Sequence, residues 1–154
     1  RELNIQFYKK TSPPVIYCWL EACGIGGHAI LVDYKISGCV ECLINREPKG
    51  MYFRNSFLVP FQVISKDLTG CGSGFTPFSS LDAIKTATLA SEMALDYILK
   101  REQPCYRFWI GDDSLAKSEN LGISEWYYKA SKINPDLDSS SYTRPSCSAC
   151  GRHI

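Results

Sequence analysis

Two short cysteine pairs near opposite ends of the sequence constrain this chain more than any other feature. The pairs are Cys39 with Cys42 and Cys147 with Cys150, and each has the form C-x-x-C. Four thiolates presented in this way match the tetrahedral preference of Zn²⁺. Because 104 residues separate the pairs, far more than in a zinc ribbon, a bound metal would tie the C-terminal tail to a distant part of the same domain. The spacing therefore predicts a structural zinc that acts as a clasp.

Two other uses of these cysteines stay open at this point. A C-x-x-C pair can be a redox dithiol or two unrelated thiols, and two pairs can also form disulfides. Eight cysteines in 154 residues is a lower density than in small disulfide-rich proteins, and a chain of this length does not need disulfide cross-links to fold. Metal-binding thiolates fit a reducing compartment, so we expect a cytoplasmic protein, whereas four disulfides would indicate an oxidising one.

Length and charge exclude several classes of protein. A chain of 154 residues has the usual size of one domain. Its 17 Lys and Arg residues nearly balance 16 Asp and Glu residues, which does not favour binding to nucleic acid or to an anionic membrane. The apolar stretches are far shorter than the roughly 20 residues of a membrane span. The N-terminus lacks an initiator methionine and does not resemble a signal peptide, so we expect a piece of something longer.

Two apolar segments near the N-terminus predict a pair of strands. Residues 15–20 are β-branched and aromatic, and residues 28–34 continue as apolar sequence after the segment Gly24-Ile25-Gly26-Gly27. A dinucleotide-binding loop would lead from a strand into a helix, whereas strand-like sequence follows here. The glycines therefore indicate a hairpin or a bulge. His28 is interpreted as a packed or surface histidine, because no second histidine lies near it in sequence.

The rest of the chain alternates polar segments with regular elements. Residues 44–56 are polar and predict a loop, and residues 56–65 and 105–110 predict strands. Residues 134–146 predict an extended segment that the second cysteine pair anchors. The clearest helix begins after Ser79 or Ser80 as N-cap and runs to about Lys100. Its apolar face is marked by Leu81, Ile84, Thr88, Ala94 or Leu95, and Ile98.

Cys71 is the candidate for nucleophilic chemistry. It lies among three glycines shortly before the start of the predicted helix, where backbone N–H groups and the helix dipole can stabilise a thiolate. The alternative is an ordinary loop cysteine. A papain-like protease fits poorly, because His28 and His153 are the only histidines. Cys18 and Cys105 have apolar and aromatic neighbours and are predicted to be buried.

Taken in order, these features resemble the C-terminal half of the adenylation domain in the ThiF, MoeB and HesA family, the fold of ubiquitin-activating E1 enzymes. The resemblance covers nearly the whole chain. Within it, the segment from Gly70 to Ser80 looks most like bacterial E1-like proteins of ubiquitin-like conjugation and antiphage operons. The matching residues are Pro14 to Glu21, Gly24 to His28, Gly38 to Leu43, the helix from Leu81, and Cys147 to Gly151.

The resemblance implies an α/β fold for residues 1–154: the C-terminal half of a Rossmann-like domain, with a mixed sheet, one long helix and a zinc clasp. It assigns the structural Zn²⁺ to Cys39, Cys42, Cys147 and Cys150, and it assigns a thioester with a ubiquitin-like protein to Cys71. The whole enzyme would use ATP and Mg²⁺ to adenylate the C-terminus of a ubiquitin-like or sulphur-carrier protein.

The family's nucleotide loop, its phosphate-contacting Arg and Lys and its magnesium-binding Asp belong to the N-terminal half and have no counterpart here. This chain alone should therefore not perform adenylation. The expected partners are the carrier protein, the missing half or another protein chain, and a second copy in a homodimer, with no nucleic acid and no membrane.

Two further hypotheses belong to other classes. The chain could be a non-catalytic, zinc-stabilised module that binds a protein. It could also be a thiol oxidoreductase, which would require a low-pKa cysteine in the pair Cys39 and Cys42 and no bound metal.

Overall fold

A computed structural model describes residues 13–64, 66–67, 74–75, 77–101 and 103–151. In this part of the chain, six strands precede a single long helix, and two more strands and two short helices follow it. The elements are β1 (Val15–Leu20), β2 (Gly26–Val32), β3 (Ile44–Glu47), β4 (Gly50–Phe53), β5 (Lys66–Asp67), β6 (Gly74–Phe75), α1 (Ser80–Ile98), β7 (Cys105–Ile110), α2 (Ser114–Ser118), α3 (Glu125–Ala130) and β8 (Asp136–Asp138). Among these residues no helix combines the length and apolar character needed to cross a membrane.

A four-stranded sheet in the order β1-β2-β7-β8 forms the centre of the fold. All three of its strand pairs are antiparallel. The predicted mixed sheet is therefore wrong for the described residues, and the Rossmann-like part of the expectation is not confirmed; the coarser expectation of an α/β protein with one long helix is confirmed. The pairing of β1 with β2 has a simple cause. Only residues 21–25 connect them, whereas a parallel pair needs a crossover of about a dozen residues.

The two faces of this sheet pack against different layers. On one face Ala29 and Leu31 of β2 and Cys105 of β7 contact Met93 of α1. On the other face the alternate residues, Ile30 among them, join a larger core formed by the loops, the short helices and both cysteine pairs. The strict alternation of side chains along β2 sends neighbouring residues to opposite layers.

The glycine-rich connection between β1 and β2 is a tight turn that ends in a strand, as the sequence predicts. Gly24 has a φ of +64° and Cys23 a φ of 59°, a left-handed conformation that glycine adopts without strain. A Cβ at Gly27 would lie 2.3 Å from Thr86 Oγ1 and 2.5 Å from Trp109 Nε1. The short distance to Thr86 explains why residue 27 is a glycine: α1 packs directly onto the backbone of β2, and a Cβ would not fit between them.

The structure differs from the prediction between residues 44 and 65. Residues 44–56 hold the hairpin of β3 and β4 in place of a loop; its polar residues are compatible with strands because most of the hairpin is exposed or half-exposed. In the described part of the predicted strand at 56–65, only an isolated bridge joins Leu58 to Ile123. Pro60 has no N–H to donate, and Phe61 has a φ of 65°, so neither residue continues a strand.

Helix α1 begins where the sequence predicts, and its apolar face is turned to solvent. Ser79 is the N-cap and exchanges hydrogen bonds with Asp82. The helix ends at Ile98, slightly before the expected Lys100, which has a left-handed φ of 55°. Thr86 and Met93 are its buried residues. The predicted apolar face, with Leu81, Ile84, Leu95 and Ile98, is exposed.

Of the two cysteines predicted to be buried, one is buried and the other is exposed. Cys105 is buried in the contact with α1. Cys18 is exposed, so that prediction is wrong. Cys18 lies on β1, the edge strand, where the apolar sequence around it is only half-buried. Edge position, which depends on the whole sheet, decides its exposure.

Candidate metal centre

The two cysteine pairs meet at one buried point beneath the sheet. The Sγ atoms of the four residues all lie within 4.8 Å of one another. Cys39 Sγ is 3.8 Å from Cys147 Sγ, and Cys42 Sγ is 3.6 Å from Cys150 Sγ. These distances are much longer than the roughly 2.05 Å of a disulfide bond. The structure therefore brings together all four residues that the spacing predicts.

Each pair lies on a tight local turn. On the first, the N–H of Cys42 donates to the carbonyl of Cys39 at 2.9 Å, and the N–H of Cys39 points at Cys42 Sγ at 3.5 Å. On the second, the N–H of Gly151 donates to the carbonyl of Cys147 at 2.9 Å, and Gly151 has a φ of +54°. Backbone N–H groups directed at sulfur stabilise thiolates.

This donor set fits a structural zinc ion. Tetrahedral Zn²⁺ with Zn–S bonds of about 2.3 Å places its sulfur ligands about 3.8 Å apart, close to the two shortest separations here. All four residues are at most 4% exposed. Four thiolates also leave no open coordination position, which is typical of structural sites. The cluster could bind a structural zinc that closes the C-terminal tail onto the domain.

The local electrostatics favour thiolate at one ligand. A hydrogen bond from the Cys39 thiol, with the backbone N–H groups of Cys39 and Arg144, lowers the pKa of Cys42 to about 5, against the opposing effect of burial. Burial and the charge of Arg144 lower the pKa of Arg54, while the negative charge of Cys42 acts in the opposite direction. The Arg54 guanidinium thus lies close enough to interact with the charge of Cys42, while the Arg144 guanidinium donates to the carbonyls of Glu41 and Ile44 beside it.

The tail that carries the second pair is fixed by polar contacts as well. Tyr142 is completely buried and donates its hydroxyl to the carbonyl of Leu31 in β2 at 3.0 Å. Thr143 Oγ1 accepts from the N–H of Gly38 at 3.1 Å, next to the first pair. The predicted excursion at 134–146 is therefore more integrated than expected: it contains β8, which pairs with β7.

Cys71, the predicted nucleophile, lies outside the described residues. Its flanking strands are described: β5 pairs with β6, with Asp67 opposite Gly74. The long helix then begins after Ser79. The structure leaves the chemistry of Cys71 as a prediction.

A buried polar network at the β1–β2 turn was not found by sequence reasoning. His28 is completely buried, as expected for a packed histidine, and its Nε2 lies 3.1 Å from Glu21 Oε1. Its Nδ1 lies 2.7 Å from the hydroxyl of Tyr106. The Glu21 carboxylate also accepts from Ser56 Oγ at 2.8 Å and from the N–H of Phe57 at 3.1 Å. Because His28 is inaccessible to solvent, we interpret the network as structural: it joins the β1–β2 turn to Ser56 and Phe57 and to Tyr106 of β7.

Comparison of the chain with family models, with curated proteins and with solved structures returns no match.

Proposed function

We propose that this chain is the zinc-bearing half of an E1-like adenylyltransferase that activates the C-terminus of a ubiquitin-like or sulphur-carrier protein. The observation that supports the proposal is the cluster of four buried sulfurs assembled from two pairs with 104 residues between them. The resembled family places its structural zinc on pairs at such wide separation. In this proposal the Zn²⁺ is held by Cys39, Cys42, Cys147 and Cys150, and the protein works in the cytoplasm.

The Rossmann-like part of the enzyme would lie beyond β1. Strand β1 is at the edge of the sheet, and within the described ranges it pairs only with β2. An apolar six-residue edge strand is a ready template for further pairing. In the proposal, the nucleotide-binding half continues the sheet there and supplies the groups for ATP and Mg²⁺, so this chain alone shows no ATP–pyrophosphate exchange.

Cys71 would act after adenylation. Its thiolate attacks the carbonyl carbon at the adenylated C-terminus of the carrier protein, a carbon–sulfur bond forms, and the bond from that carbon to the phosphate oxygen breaks with release of AMP. In the sequence, Cys71 lies between β5 and β6 and precedes the positive end of α1, an order that supports a stabilised thiolate.

Transfer from a preformed thioester tests this step without the missing half. A ubiquitin-like protein carrying a C-terminal alkyl thioester is incubated with the chain. We expect a product that is cleaved by dithiothreitol, formed by the wild type and by Cys18→Ala and lost in Cys71→Ala. Cys18 is the matched control because it is an exposed cysteine with no assigned role. A product retained in Cys71→Ala, or no product with any variant, would contradict the proposed role.

Native mass spectrometry tests the metal centre independently. We expect one zinc ion per chain under native conditions, its loss on denaturation, and eight thiols open to alkylation. A metal-free chain with four disulfides would contradict both the zinc assignment and the family assignment.

A second candidate function is a non-catalytic, zinc-stabilised module that binds a protein. The exposed apolar face of α1 favours it, because large exposed apolar patches mark interaction sites. Loss of partner binding on metal removal, with Cys71→Ala behaving as the wild type in a reconstituted assay, would favour this function over the first.

A further inference from the structure

Six exposed residues on α1 follow the spacing of a coiled-coil seam. Leu81, Ile84, Thr88, Ser91, Leu95 and Ile98 are separated by alternating steps of three and four residues, which is the a and d pattern of a heptad repeat. All six are exposed, and the four large ones are between 55% and 74% exposed. The buried residues, Thr86 and Met93, occupy the heptad position on the opposite side. The helix therefore packs on the sheet with one side and presents a complete seam on the other.

The seam on one helix matches the seam on a second copy of the helix that runs in the opposite direction. In an antiparallel pair with its two-fold axis between Thr88 and Ser91, Leu81 faces Ile98 of a second helix and Ile84 faces Leu95. Thr88 faces Ser91 at the centre, so small side chains meet small ones and large side chains meet large ones. A two-fold interface requires this reciprocity, in which residue i contacts residue j and j contacts i.

The residues beside the seam satisfy the same symmetry. Lys85 and Glu92 occupy equivalent heptad positions on one flank, so the antiparallel arrangement places Lys85 near Glu92 of the other helix, twice. Lys85 also lies over the ring of Trp109, 4.9 Å from its centroid, which holds the ammonium group near this flank. On the other flank Ala87 and Ala94 face each other, and their small side chains permit close approach of the two helices.

We infer that α1 docks against α1 of a second copy of this chain, as an antiparallel helix pair with its two-fold axis between Thr88 and Ser91. The occupant is identified by the reversed match of the seam together with the charge complementarity of Lys85 and Glu92. The inference does not depend on the proposed enzymatic function, because it rests on the surface of one helix.

Charge exchange on the flank tests the arrangement. Lys85→Glu places two carboxylates opposite each other at both flank contacts, and Glu92→Lys places two ammonium groups there. We expect each single variant to weaken self-association by about tenfold or more in sedimentation equilibrium. An equimolar mixture of the two variants restores a dimer of one copy of each, because opposite charges then face each other at both contacts.

Two further variants separate the seam from general surface effects. Leu95→Glu disrupts the apolar layer and should give a monomer of 17.3 kDa. Val63→Glu is the matched control, because Val63 is an apolar residue that is 87% exposed and is not part of α1, and it should leave the dimer intact. Zinc content and circular dichroism verify the fold of each variant.

Three results would overturn the inference. The wild type could remain a monomer at every concentration. A dimer could persist unchanged in Lys85→Glu, Glu92→Lys and Leu95→Glu, which would place the interface elsewhere. Finally, the chain could co-purify with a different polypeptide that Leu95→Glu releases, which would assign the seam to another partner.

Discussion

At the scale of single residues, Cys42 makes the stability of the chain depend on pH. Its pKa falls from an ordinary value of 9 to about 5 in the folded protein, so folding favours the thiolate. The stabilisation is fully present above about pH 9, and it is lost progressively as the pH falls toward 5. Zinc binding has the same sign, because thiolates and not thiols are the ligands.

We therefore expect the denaturant midpoint of the chain to fall steadily as the pH is lowered from about 9 to about 5, with zinc released over the lower part of this range. Urea titrations and a colorimetric zinc indicator measure the two effects. Cys18→Ala is the control and should follow the wild type. A midpoint that rises on acidification would be incompatible with a stabilised thiolate at Cys42.

The buried carboxylate of Glu21 gives a second prediction. Glu21→Gln keeps the shape of the side chain but replaces one carboxylate oxygen with an NH₂ group in a site of hydrogen-bond donors. We expect it to lower the free energy of unfolding by about 2–3 kcal/mol. Ser56→Ala removes only one donor and should cost about 1 kcal/mol. Equal stability of Glu21→Gln and the wild type in urea titration would show that the charge is not required.

The residue scale also shows what a sequence can reveal. The four cysteines are predictable because each C-x-x-C pair carries half of the ligand geometry within four consecutive residues. The contact of His28 with Tyr106 is not, because the two residues are 78 positions apart. Only the register that sets His28 opposite Phe108 brings that contact about, and nothing local in the sequence indicates it.

At the scale of elements, the start of a helix can be predicted from local sequence, but the side of the helix that is buried cannot. Ser79 and Asp82 specify the start of α1 through hydrogen bonds within one turn, so the sequence predicts that boundary. Which side of α1 is buried depends on the sheet beneath it. The helix touches the sheet through Met93, the small residue Ala90 and the half-buried Leu89 and Tyr97, and leaves its more obvious apolar side open.

Gly27 sets how closely α1 approaches β2. Gly27→Ala would put a methyl group against Thr86 Oγ1 and the Trp109 ring, and we expect a loss of about 1–3 kcal/mol in the free energy of unfolding. The double variant Gly27→Ala with Thr86→Ala should recover part of this loss relative to the sum of the single variants. Strict additivity in urea titrations would show that the methyl group does not meet Thr86.

At the scale of the whole molecule, α1 covers one side of the sheet and the sulfur cluster lies on the other. The seam and the metal centre are thus properties of different layers. Self-association through α1 need not change when the metal is removed, and zinc binding need not change when α1 is altered. The spacing of the seam and the spacing of the cysteine pairs can each be read from the sequence. Their placement on opposite sides depends on which elements pack on each face of the sheet, and no local pattern indicates this.

The sulfur cluster also determines whether a cut in the backbone separates the chain into two fragments. With zinc bound, the chain between Cys42 and Cys147 is a closed ring, so one nick in it does not create two independent molecules. A site-specific protease site inserted at the exposed Glu119 and Asn120 would free a C-terminal fragment that carries β8, Tyr142 and the second cysteine pair.

We expect the nicked protein to elute as one particle from a sizing column. We expect this fragment to separate at a lower urea concentration when a chelator is present, and not on chelation alone, because the pairing of β8 with β7 and the hydrogen bond from Tyr142 to Leu31 remain. The same urea dependence with and without a chelator would show that the metal does not hold the ends together. In a chain closed by zinc, a cut in the backbone and the loss of the fragment are distinct events, and removal of the metal makes the second easier.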